Sequence, residues 1–195
     1  MSGESTGAHL MRILGIAGSL RRGSYNRALL EAARREAPAS MTIEPFALDE
    51  VPLYNADLDA DGQRPAAVER LKKTVADADA LLIATPEYNH SVPGVLQNAI
   101  DWASRPGLRS PLAGKPVAIM GTSVGVVGTA RAQQQLKLVL MSTLALVMPH
   151  PGVVVGQAPE KFDASGALSH EPTRKFLGAF LNDLDVWLRR LHREP

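Results

Sequence analysis

Hydroxyl, amide and guanidinium groups are concentrated in one short stretch, Gly18-Ser-Leu-Arg-Arg-Gly-Ser-Tyr-Asn26, and their common chemistry is anion binding. Ser19, Ser24 and Asn26 can donate hydrogen bonds and Arg21 can add a charge-assisted one. Before this stretch runs the apolar Ile13-Leu-Gly-Ile-Ala17. After it Leu29, Leu30, Ala33 and Ala37 recur at helical spacing, with Arg27, Glu31, Arg34 and Arg35 between them. A strand, a small-residue turn and a helix start in that order aim backbone N–H groups and the positive end of a helix dipole at one point, where a phosphate fits. Two familiar phosphate loops are excluded. A Walker loop needs lysine where Ser24 stands, and the glycines at 15, 18 and 23 do not make G-x-G-x-x-G. The plainer alternative is a helix N-cap supplied by Ser24 or Asn26.

Two further stretches carry chemistry. Thr85-Pro-Glu-Tyr-Asn-His-Ser-Val-Pro-Gly94 presents Glu87, Tyr88 and Asn89 between a proline that ends a strand and a Ser91/Pro93 pair that caps and starts a helix. An aromatic ring beside carboxyl and amide groups can frame a flat heterocycle with polar edges, and an exposed turn is the alternative. Gly121-Thr-Ser-Val-Gly-Val-Val-Gly128 lets backbone approach a ligand closely. Other chemistries have no residues to run on. Cysteine is absent, which removes disulfides and thiolate catalysis, and the five histidines show no metal-ligand spacing. Redox chemistry would need a borrowed organic cofactor.

The elements that must position these stretches alternate along the chain. Met41-Thr-Ile-Glu-Pro-Phe-Ala-Leu48 reads as an edge strand because it holds Pro45. Ala80–Ala84 and Val117–Met120 read as strands covered on both faces, and Val153–Val155 as a fifth. Helices are expected from Pro65 with Val68, Leu71 and Val75 inward, from about 93 to 103, and from about 129 to 144. A last helix buries Leu177, Phe180, Leu181, Leu184, Leu188 and Leu191. The result is a three-layer α/β/α fold with a five-stranded parallel sheet in the flavodoxin-like order 2-1-3-4-5. Its three unusual loops share the carboxyl edge, where such folds bind ligands. Residues 49–64 are expected to form a surface loop.

With 195 residues, 45% hydrophobic, and a net charge of +1, the chain reads as one domain over 12–195 after a flexible tail over 1–11. The interleaved charge offers no stripe for nucleic acid, no apolar run spans a membrane, and the start lacks signal-peptide character, so a cytoplasmic protein is expected.

Taken in order, Gly18–Asn26, Pro86–Gly94 with Asn98-Ala-Ile-Asp-Trp102, and Thr122-Ser-Val-Gly125 resemble the NADPH-dependent FMN reductase family, with the nearest likeness to its bacterial quinone and chromate reductases, over residues from about 12 to 191. The resemblance implies that Ser19, Arg21, Ser24 and Asn26 hold the FMN phosphate, with Tyr25 and the intervening backbone also in the cofactor site. It implies that Pro86, Glu87, Tyr88 and Asn89 line the isoalloxazine, and that Ser123 and Gly125 touch it from the third loop. It further implies hydride transfer from NADPH or NADH to FMN, then electron transfer to quinones or other small acceptors (free flavin, chromate, azo compounds) by a ping-pong route, in a homodimer or homotetramer. No acid–base residue and no metal is assigned. The family has a second glycine after Gly128 where this chain has Thr129, which raises the question of how that loop packs. Arg105 and Arg109 are candidates for a 2′-phosphate, although nothing in the sequence fixes NADPH against NADH. A flavodoxin-like carrier that holds FMN without reacting with nicotinamide is the alternative, although its usual acidic docking face is missing. A receiver-type module on the same frame lacks the strand-end carboxylates it would need.

Overall fold

The structure, a computed structural model, describes residues 10–60 and 62–192. Among them the strands are β1 (Met11–Ala17), β2 (Met41–Phe46), β3 (Ala80–Ala84), β4 (Pro116–Thr122), β5 (Leu146–Val147) and β6 (Val153–Val155). The α-helices are α1 (Tyr25–Glu36), α2 (Ala66–Asp77), α3 (Gly94–Ala103), α4 (Ala130–Ser142) and α5 (Glu171–Leu191). The sheet is parallel throughout and runs β2-β1-β3-β4-β5, the flavodoxin-like order expected from the alternation. β2 is the edge strand, which tolerates the missing N–H of Pro45.

The fifth sheet position differs from expectation. Leu146 and Val147 pair with the start of β4, and Val153–Val155 pair with its end. Between them lies Met148-Pro-His-Pro-Gly152, whose two prolines remove ladder donors and whose Gly152 takes a φ of +89°. The expected strand over Val153–Val155 is present, and a second short one, Leu146–Val147, precedes it along the same edge of β4. β1 begins at Met11, paired with Met41 and buried, so the ordered sheet reaches into the stretch read as tail. The rest of that stretch, save Leu10, lies outside the described residues.

Side chains alternate across the central strands because the strand period is two. Ile13, Leu82 and Met120 face one layer with α1 and α5, while Leu14, Leu81 and Ile119 face the other with α2, α3 and α4. Five of the six residues read as the buried stripe of the last helix are buried. Leu191, its terminal residue, is 43% exposed because the helix has run past the sheet there.

The loop over 49–64 is tethered more firmly than a plain surface loop. Asn98 Nδ2 and Trp102 Nε1 both donate to the carbonyl of Pro52 at 2.8 Å, and Tyr54 N donates to Asn98 Oδ1 at 2.7 Å. The Tyr54 ring meets Trp102 edge-on at 4.8 Å. The Asn98–Trp102 motif thus serves as scaffold, and Trp102 is fully buried.

Phe180 fills the core between α5 and the sheet and is 1% exposed. Phe180→Ala is expected to lower unfolding free energy by about 3–5 kcal/mol in urea titrations followed by far-UV circular dichroism.

Candidate functional site

β1, β3 and β4 end at the same edge of the sheet, and the three loops read as chemistry-bearing leave from those ends. Gly18 N donates to Ala84 O at 2.9 Å, which joins the start of the first loop to the end of β3. A side chain at Gly18 would press on Leu96 and Pro86, so the first and second loops meet there through a residue without one.

The first loop turns through a Ser24 N to Arg21 O bond of 3.1 Å into α1. Ser24 is the N-cap, its Oγ accepting from Asn26 N at 3.2 Å and Arg27 N at 3.4 Å, while its hydroxyl proton stays available to donate outward. Among the described residues, the main-chain N–H groups of 19 to 23 find no acceptor within the protein. A run of unpaired donors ahead of a helix N-terminus, flanked by the Ser19 and Ser24 hydroxyls and the Arg21 guanidinium, matches a phosphate monoester in charge and hydrogen-bonding capacity. Arg21 lies 5.8 Å over the Tyr25 ring, which in turn packs on Phe162 at 5.4 Å. Arg27, which sequence reasoning passed over, braces the loop. Its Nε donates to Ser19 O at 3.0 Å and its NH2 pairs with Asp49 at 3.1 Å. Only its place in the first turn of α1 hinted at this.

Asn26 departs from its expected part as a phosphate donor. Its Nδ2 donates to Thr122 O at 2.9 Å and its Oδ1 accepts from Thr122 N at 3.0 Å. Both ends of the buried carboxamide are committed to the last residue of β4. The side chain acts as a clamp beneath the cup, because the end of a strand leaves both main-chain groups needing partners.

In the second loop Tyr88 and Ser91 exchange main-chain hydrogen bonds of 3.2 and 2.9 Å around Asn89 and His90, whose φ values are +51° and +62°. This is a tight hairpin with two left-handed corner residues, the geometry in which asparagine is favoured. Tyr88 is half exposed and its hydroxyl lies 3.4 Å from Ser19 Oγ, so the second loop touches the first. Pro86 is buried at the base of the loop.

Glu87 does not face the crevice as expected. Its carboxylate accepts from Arg131 N at 3.0 Å and Ala132 N at 3.1 Å, and pairs with the Arg131 guanidinium at 3.1 Å. Burial pushes its pKa up, but the hydrogen bonds from Ala132 and Arg131 outweigh that and hold the carboxyl below its ordinary range. The N–H groups at the start of α4 draw the side chain to that helix. Ser91 likewise does not cap α3. Its Oγ donates to Gln135 Oε1 at 2.6 Å, and Pro93 stands at the cap without a side-chain bond.

The third loop is stapled to the far strand by Ser123 N to Val155 O, Gln157 N to Gly125 O and Ala158 N to Ser123 O, each 3.0 Å. Ser123 Oγ donates inward to Gly128 O at 2.8 Å, so its hydroxyl proton serves the loop, while Gly125 is exposed at the tip. Val124, Val126 and Val127 form an exposed apolar rim. Thr129 is accommodated. It is fully buried, its Oγ1 takes a bond from Gln133 Nε2 at 3.0 Å, and it occupies space that any side chain at Gly121 would overlap.

Of the arginines considered for a 2′-phosphate, Arg105 stacks 5.1 Å over Tyr54, and Arg109 sits in a short turn over Gly107–Arg109. A cavity of about 610 Å³ lies behind the cup, between α1 and residues 164–168, and shares Gly23, Ser24 and Tyr25 with it.

The family model described as NADPH-dependent FMN reductase matches residues 11–160. The chain is 48% identical to an NAD(P)H-dependent FMN reductase of Pseudomonas aeruginosa, covering 93% of this chain and 97% of that one. It is 43% identical to a quinone reductase of Escherichia coli K12, with 93% and 97% covered. The solved structure of the flavoenzyme FerB, an NAD(P)H:(acceptor) oxidoreductase from Paracoccus denitrificans, superposes with a TM-score of 0.83 at 38% identity, covering 92% of this chain and 98% of that one.

Removing the clamp tests its part in the fold. Asn26→Ala leaves the N–H and C=O of Thr122 without partners, and is expected to cost about 1–3 kcal/mol in chemical denaturation, read against wild type under identical conditions.

Proposed function

Because the chain belongs to the NADPH-dependent FMN reductase family, we propose that the three-loop crevice holds FMN with its phosphate on residues 19–24 and its ring between the second and third loops. The protein is an NAD(P)H-dependent oxidoreductase of the FMN and quinone reductase type. That sets aside the carrier that does not react with nicotinamide. The observation that carries the placement is the row of unpaired main-chain N–H groups over 19–23 at the start of α1.

Bound FMN would supply the two-electron chemistry between NAD(P)H and acceptors such as quinones, free flavin, chromate or azo compounds, by the ping-pong route we propose. The protein's own residues bind and orient. Ser19 and Ser24 donate hydroxyl hydrogen bonds to the phosphate, Arg21 neutralises part of its charge, and the first turn of α1 adds its dipole. Tyr88 and Asn89, held in the hairpin, border the ring edge, and Gly125 lets the third loop approach closely. The exposed valines at 124, 126 and 127 give the open mouth an apolar wall suited to flat acceptors and tolerant of their identity. No side chain is required as nucleophile or metal ligand, so alignment carries the rate.

We also propose a homodimer or homotetramer in the cytoplasm. No helix among the described residues is long and apolar enough to cross a membrane. The outer face of α4 exposes Leu138 and Met141, 68% and 61% accessible, and Leu108 stands exposed in the Gly107–Arg109 turn. Such surface on a helix commonly marks a subunit contact.

Two experiments test these readings. Anaerobic addition of NADPH or NADH to the FMN-loaded protein is expected to bleach the bound flavin, and Arg21→Ala with Ser24→Ala to weaken FMN affinity about 10–100-fold with the fold intact, as the loss of one or two charge-assisted contacts implies. Unchanged affinity in a fluorescence titration would move the phosphate elsewhere. Leu138→Glu with Met141→Lys is expected to shift the sedimentation coefficient to that of a monomer. An unshifted oligomer excludes that face.

A further inference from the structure

One carboxylate ties the second loop to the start of α4, the helix that follows the third loop. Thr129 is the cap residue of α4 yet makes no side-chain cap, since its Oγ1 is engaged with Gln133 of the same helix. A helix start left that way needs donors satisfied from elsewhere. Glu87 reaches across from the second loop to do this, taking the N–H groups of Arg131 and Ala132 on one oxygen and the Arg131 guanidinium on the other. Its side chain is only 8% exposed, whereas that of Arg131 is 48% exposed, so the inner contacts are to main chain and the outer one is to the guanidinium. A second tie lies one turn along α4, where Gln135 accepts from Ser91 Oγ at 2.6 Å and donates to His90 O at 2.9 Å. Residues 87 to 91 are thus bound along the first turns of α4 at both ends of the hairpin.

The hairpin between those ties holds two residues in the left-handed region, and one of them is a histidine. L-residues adopt that conformation at a cost and keep it where surrounding contacts over-determine it. Tyr88 and Asn89, the residues read above as bordering the ring, directly follow Glu87 in the chain. Resting on that reading of the crevice, we propose that Glu87 is a positioning residue. It locks the Tyr88–Asn89 hairpin onto the start of α4, sets the spacing between the second and third loops, and does so without touching the flavin. The carboxyl, held below its ordinary range by these bonds, is ionised at neutral pH and accepts on both oxygens. An ordinary helix cap would contribute stability alone, while a positioning residue also governs how the cofactor is held.

The test uses full-length, FMN-supplemented protein and compares Glu87→Ala, Glu87→Gln, Arg131→Ala and Gln135→Ala. Readouts are FMN affinity by fluorescence quenching, the visible circular dichroism of bound flavin, and kcat and KM for NADPH. Glu87→Ala is expected to weaken FMN binding about tenfold or more, a factor that corresponds to about 1.4 kcal/mol, and to alter the flavin dichroism. Glu87→Gln keeps a carboxamide oxygen for the two N–H groups and is expected to recover most of the loss. Arg131→Ala, which removes only the outer ion pair, should lose less than Glu87→Ala, and Gln135→Ala should perturb the same dichroic band more weakly. Wild-type affinity, dichroism and turnover in Glu87→Ala, with only a lowered Tm, would reduce the residue to a helix cap and overturn the proposal. Equal damage from Gln and Ala would also overturn it, by assigning the effect to charge. Should Glu87→Ala fail to fold, Glu87→Asp decides, since it keeps the charge and shortens the reach to α4 by one methylene: an altered flavin dichroism supports the proposal and a wild-type band overturns it. A wild-type protein that binds no FMN would defeat the crevice reading instead, an outcome distinct from all of these.

Discussion

The site depends on a buried carboxamide that spans two loops far apart in sequence. Asn26, in the first turn of α1, holds both main-chain groups of Thr122, the last residue of β4. A strand end is a place where ladder bonding stops and main-chain groups otherwise turn to water. By meeting them there, Asn26 fixes the point at which the third loop departs and sets it against the phosphate cup. The cup is then free to be built from main chain, with Ser24 capping the helix and Arg27 bracing the carbonyl of Ser19. Removal of the clamp leaves the first and third loops joined only through the sheet.

A second level of organisation uses side chains as substitutes for missing caps. α4 begins without a cap of its own and takes Glu87 from the neighbouring loop, while α1 carries its own Ser24. The contrast has a geometric reason. The first loop must leave its N–H groups available, so one hydroxyl that accepts on the inner side and donates on the outer suits it. The third loop is folded on itself by Ser123 and stapled to residues 155–158, so the following helix can be tied off from outside. The third loop leaves an apolar rim of Val124, Val126 and Val127 at the mouth.

Much of this was legible in the sequence, and the illegible parts share one cause. The apolar runs, the edge proline at 45 and the small-residue turn at 18–26 specify strand order and the place of the crevice, because periodicity and turn chemistry are local properties. The partners of polar side chains are not local. Asn26 and Thr122 are 96 positions apart, and Glu87 and Arg131 are 44 apart. Residue type marks each as a hydrogen-bonding group, while only the folded sheet decides whether it faces a ligand or a neighbouring main chain. The split of the fifth strand was signalled by Pro149 and Pro151, yet β5 is too short for its two residues to register as a period. Thr129 raised a question that Gly121 answers, again through a contact made only in the fold.

The unpaired donors over 19–23 also bear on the life of the protein in a cell. Ordered main-chain amides that lack a protein acceptor favour the folded state less than paired ones until an anion arrives. Cofactor supply therefore feeds into folding: a ligand at a hundredfold its Kd adds about 2.7 kcal/mol to stability. Under the proposed placement, loss of FMN raises the unfolded fraction on which proteases act. The amides proposed to hold the phosphate then tie the persistence of the fold to the cofactor.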